Sequence, residues 1–156
     1  MKIELNKKQY KELVHSIETA EIVYAVLRDM VDMGKYDKKL TEKENIGKYI
    51  LRFAKEFGVE NIIENFEGEN VASEKYIDYI LDDLYEYDDY IFWDGLATKL
   101  AEKEFFNTYS EEEIINMDVA ERYLKCGELE DKYSKEFEEY GIDKLEIIER
   151  LDIKNN

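Results

Sequence analysis

No proline interrupts the 156 residues of this chain. Proline is the strongest helix breaker, since it lacks an N–H and its ring collides with the preceding turn. Without it, long helices run until a cap or a glycine stops them. The apolar residues recur at helical spacing almost throughout, so an all-α, single-domain bundle of about five to seven helices with a long first helix is expected.

Capping residues set the expected boundaries. Asn6 with Gln9 reads as a capping box, in which each residue satisfies the other's exposed backbone donor. Tyr10, Leu13, Val14, Ile17, Ala20, Tyr24, Leu27 and Val31 then share a stripe, predicting a helix from about residue 7 to Gly34. From Ile22 to Met30 it is apolar nearly all round, as in a central helix or an oligomer interface. Thr41 with Glu44 reads as a second box, opening a helix that Gly58 ends. A short helical turn is expected from Val59 to Phe66. Ser73 would cap a helix carrying Ile77, Ile80, Leu81, Leu84 and Ile91 inward, continuing through Phe92 and Trp93 to Phe105, with Gly95 marking a kink or a close approach. Ser110 with Glu113 reads as a third box. Val119, Tyr123, Cys126, Leu129, Tyr133, Phe137 and Tyr140 would line the helix running up to Gly141. Asp143 with Glu146 would open a last helix bearing Leu145, Ile148 and Leu151. Met1, Ile3 and Leu5 alternate as in a short strand.

Charge narrows the functions. Thirty-nine acids against 22 bases leave a net charge of −17, which removes the main electrostatic term for direct nucleic-acid binding and repels anionic membranes. The opening residues lack the apolar core of a signal peptide, and no run approaches the ~18 apolar residues of a membrane helix. The single cysteine, Cys126, forms no intrachain disulfide, so a cytoplasmic location is expected. One histidine, His15, and one cysteine are too few for a Cys/His zinc site or a two-histidine di-iron site within one chain. No phosphate-binding glycine loop occurs, and no cofactor is expected.

The most unusual segment runs from Glu74 to Asp94. Glu74, Asp78, Asp82 and Glu86 follow at spacings of four, where like charges oppose helix formation. Asp83, Asp89, Tyr87 and Tyr90 add carboxylates and rings. Carboxylates steer a basic partner and tyrosines supply contact area, so these eight residues are the expected partner-binding site for a basic protein surface. The function expected is a non-enzymatic interaction or regulatory module, with a nucleic-acid-mimic inhibitor as its extreme form. A structural subunit of a small homo-oligomer, associating through Ile22 to Leu27, is an alternative.

A third alternative is a magnesium-dependent nucleotide pyrophosphohydrolase. All-α enzymes of that class use an E-x-x-E pair followed by E-x-x-D, and Glu64, Glu67, Glu86 and Asp89 resemble that pattern at these four positions. Carboxylates three apart on a helix share a face and gather Mg²⁺. Random placement of this many glutamates gives about four E-x-x-E pairs. Four occur, at Glu18/Glu21, Glu64/Glu67, Glu136/Glu139 and Glu146/Glu149.

Overall fold

The computed structural model describes residues 4–146. The expected strand at Met1 to Leu5 and the last helix from Asp143 fall largely outside that range. The fold class is all-α. The described residues hold five α-helices: α1 (Lys7–Met30), α2 (Met33–Leu51), α3 (Glu74–Thr108), α4 (Glu111–Asn116) and α5 (Val119–Tyr140). A two-stranded ribbon, β1 (Ile63–Phe66) and β2 (Glu69–Ala72), lies between α2 and α3. The chain divides into two compact units, residues 1–87 and 88–156, and α3 crosses the boundary.

The first unit is an α1–α2 hairpin closed by the ribbon and the start of α3. The Asn6–Gln9 box forms, with both reciprocal hydrogen bonds at 2.9 and 3.0 Å. Helix α1 stops at Met30 rather than Gly34. Asp32 is extended and its Oδ1 accepts from Lys35 N–H at 3.0 Å, so an aspartate cap opens α2 and Gly34 lies inside its first turn. The Thr41–Glu44 pattern then falls in mid-helix, where its N–H groups are already bonded.

Residues 59–68 depart from the expected helical turn. Val59 and Ile62 are fully buried, as helical spacing suggested, but only Glu60–Ile62 coil, as a short 3-10 turn. Beyond them Ile63 pairs with Ala72 and Phe66 with Glu69 in an antiparallel ladder. The two-residue loop, Glu67-Gly68, has φ of +52° and +89°, the sign a tight hairpin turn needs at both positions. An isolated hairpin is marginal. This one is held because Ile63 and Ala72 lie against the core of Tyr10, Val14, Leu51, Ala54, Ile62 and Ile80.

Ser73 precedes α3 as expected but caps it differently. Its carbonyl accepts from Tyr76 and Ile77 N–H at 2.8 and 3.0 Å, whereas its buried Oγ has no partner. Gly95 does not end the helix or pack closely: α3 runs through it, and a Cβ there would meet no atom within 4 Å.

In the second unit α3 and α5 run antiparallel. Trp93 lies 5.3 Å from Phe137, and Lys132 binds Glu104 at 2.6 Å. Ala97, Ala101, Phe105 and Phe137 are buried. The Ser110–Glu113 box forms, but it opens only the six-residue α4. Asp118 caps α5 by accepting from Glu121 N–H at 2.7 Å, so two helices stand where one was expected. Val119 and Tyr123 are exposed, and the inward stripe of α5 begins near Cys126.

Gly95→Ala adds a methyl into open space and removes glycine's backbone freedom. It is expected to stabilise the protein by up to about 1 kcal/mol, read as a higher denaturation midpoint.

Candidate functional site

The eight residues expected to meet a partner all lie on α3, and Glu74, Asp78, Asp82, Asp83, Glu86, Tyr87, Asp89 and Tyr90 are all exposed. Tyr76 and Ile80 occupy the buried side, flanked by half-buried Ile77, Leu81 and Leu84. Asp83 Oδ2 lies 3.4 Å from His15 Nε2. Asp89 accepts from Trp93 Nε1 at 3.0 Å. Glu74, Asp78, Asp82 and Glu86 have no cation within ion-pair distance among the described residues. Burial lapses between Leu84 and Trp93. Residues 85–92 are exposed without exception, including Tyr85, Tyr87, Tyr90, Ile91 and Phe92.

The four residues of the magnesium alternative occupy different kinds of structure. Glu64 is on β1, Glu67 is in the hairpin turn, and Glu86 and Asp89 are on α3. The shared helix face assumed for Glu64 and Glu67 is therefore absent. Among the described residues no group of three or more acids, histidines or cysteines is placed to hold a metal ion.

A different E-x-x-E pair is brought into the interior. Glu18 is 7% exposed, on the same line of α1 as buried Tyr10 and Val14. Glu21 follows one turn later, and its buried Oε1 has no hydrogen-bond partner. Both carboxylates converge on Gly47 of α2, which is buried; a Cβ there would collide with Glu21 Oε1 and stand 3.4 Å from Glu18 Oε1. The pair borders a cleft of about 290 Å³ with Glu44, Lys48 and Asn70. Burial, then the charges of Glu18 and Glu44, push the Glu21 carboxyl up to about 7 against the opposing effect of Lys48. Burial also raises Glu18. Lys48 itself binds Glu69 of β2 at 2.9 Å, which diverts its charge. The sequence signal was present: Glu18 sits four residues after Val14, on the inward stripe.

A larger cleft of about 810 Å³ opens between the start of α1 and the start of α3. Lys7, Lys8 and Lys11 of α1 and Lys75 of α3 line it, with Glu12, His15, Asn61, Tyr76, Tyr79 and Asp83. His15 is half-buried, with its ring edge-on to Tyr79 at 5.6 Å and to Tyr76 at 6.5 Å. Sequence reading assigned His15 no role, because its neighbours in the cleft come from α3.

The chain matches no protein-family model, no curated protein and no solved structure. Among the described residues no helix is long and apolar enough to cross a membrane.

Glu21 binds its proton more tightly folded than unfolded. Its contribution to stability is therefore full below about 4.5 and is lost as pH rises to about 7. Thermal melts of the wild type should fall across that window. Glu21→Gln should flatten the fall and melt higher than wild type at about pH 8. An equal fall in both proteins would assign the effect to the general negative charge.

Proposed function

We propose that this chain is a non-enzymatic interaction module, acting in the cytoplasm, whose acidic α3 face engages a basic protein surface. The observation that carries this reading is the exposed middle of α3. Helix stability in a protein comes mainly from burying one face, and residues 85–92 include no buried or half-buried residue. Acids four apart oppose the helix by a few tenths of a kcal/mol each. A partner rich in lysine and arginine would offset both costs, neutralising Asp78, Asp82 and Glu86 and covering Tyr85, Tyr87 and Tyr90. Successive acids at that spacing rise by about 6 Å along the helix, a regular row of negative charge. A nucleic-acid mimic is the form this takes if the partner normally binds phosphates.

The test is retention of partners from lysate by wild type and by Asp78→Asn/Asp82→Asn/Glu86→Gln, followed by affinity measurements on the retained protein. The variant should bind at least about tenfold more weakly, and its affinity should depend less on salt. Equal binding by both baits would sink the assignment of the acidic face.

Self-association draws on a separate observation. Val26, Met30, Val31 and Met33, at the α1–α2 connection, are 55 to 81% exposed. Such a contiguous apolar patch is where a second copy would bind. Val26→Lys/Met30→Lys should then lower the mass measured in solution. A wild type that is monomeric at all concentrations would remove this reading.

A further inference from the structure

The lysines of the larger cleft are placed where the fold gains least from them. Lys7 and Lys8 occupy the first two positions of α1, and its first turn contains no acid. Lys75 is the second residue of α3. The N-terminus of a helix carries partial positive charge and favours anions, so cations there are unfavourable. Lys7 Nζ donates to Gly58 O at 2.6 Å. The ammonium groups of Lys8, Lys11 and Lys75 make no hydrogen bond, ion pair or ring contact among the described residues. In a chain with a net charge of −17, three unpaired cations around one cleft are conspicuous. Two acids, Glu12 and Asp83, line the cleft as well, Asp83 at 3.4 Å from His15 Nε2.

The cleft also has an aromatic wall. Tyr76 is buried and fixed by its hydroxyl, which donates to Lys11 O at 3.3 Å. Tyr79 lies nearly parallel to it, with centroids 6.2 Å apart, and is itself 56% exposed. Tyr79 thus lines the cleft beside the cations with more than half of its surface open, and the cleft's volume of about 810 Å³ is within the range that accepts a cofactor-sized molecule.

We propose that this cleft binds a small phosphorylated heterocycle of the nucleotide type. Its phosphates lie among Lys8, Lys11 and Lys75, and its ring packs on Tyr79. Base stacking on an aromatic side chain supplies the rest. The overall negative charge disfavours a polymer, whose further phosphates would run onto the acidic surface. This inference does not rest on the partner reading of α3.

The experiment is calorimetric titration of the full chain with adenosine triphosphate, tripolyphosphate, adenosine and a short single-stranded oligonucleotide. Adenosine triphosphate should bind most tightly. Lys8→Gln/Lys11→Gln/Lys75→Gln should weaken it at least about tenfold, and the corresponding arginine triple should retain it. Tyr79→Ala should weaken it about fivefold or more while leaving tripolyphosphate unchanged. Unaltered circular dichroism melts show that the variants fold. No heat with adenosine triphosphate, or a glutamine triple that binds like wild type, overturns the proposal. Adenosine or tripolyphosphate binding as tightly as adenosine triphosphate also overturns it, as does a tighter-binding oligonucleotide.

Discussion

Tyr10 is the residue on which the first unit depends. It is almost fully buried, its ring stacks on Phe57 with centroids 4.2 Å apart, and its hydroxyl donates to Ile50 O at 2.7 Å. The last carbonyls of a helix lack partners within it. Ile50 O takes a backbone N–H from Phe53, just past the helix, at 3.0 Å, and the Tyr10 hydroxyl is a further donor, tying the end of α2 to the second turn of α1. Burial raises the phenol's pKa, with Glu56 adding to the effect, which keeps the donor protonated. The turns of α1 on either side of this anchor carry the lysines of the larger cleft. Glu18 extends the same inward line to the smaller one.

Charge is distributed unevenly over this frame. Most acids are exposed and water screens them. The visible ion pairs, such as Lys48–Glu69 and Lys132–Glu104, lie at the surface, where water screens them and each contributes little. Glu18 and Glu21 differ because they lose water without gaining a cation of their own. Gly47 is the position that lets α2 approach them, and any side chain there would displace Glu21. The fold therefore tolerates a local electrostatic cost inside while presenting a negative exterior.

The helical class and three helix starts were legible in the sequence because capping chemistry is local: Asn6, Ser110 and Ser73 each stand one residue before a helix. The failures also have local causes. Asp32 caps α2 with Lys35, not a glutamate or glutamine, three residues on, so the paired-residue pattern missed it; Asp118 with Glu121 fits that pattern and was passed over in favour of the Ser110–Glu113 box upstream. The ribbon was hidden because Val59, Ile62, Ile63 and Phe66 fit helical spacing, and the turn geometry of Glu67-Gly68 was the competing signal. The acidic row was readable since one helix carries all of it. Neither cleft was, because His15 meets Tyr79 and Glu21 meets Gly47 only through tertiary packing.

Trp93 gives the molecule an uneven optical character. The single indole lies in the second unit, half-buried against Phe137 and bonded to Asp89, while eight of the thirteen tyrosines belong to the first. Indole emission thus follows the loosening of the α3–α5 pair and is nearly blind to the α1–α2 hairpin. The far-ultraviolet dichroism sums over both. Superposition of the two signals during unfolding would reveal one cooperative transition, and separation would reveal two.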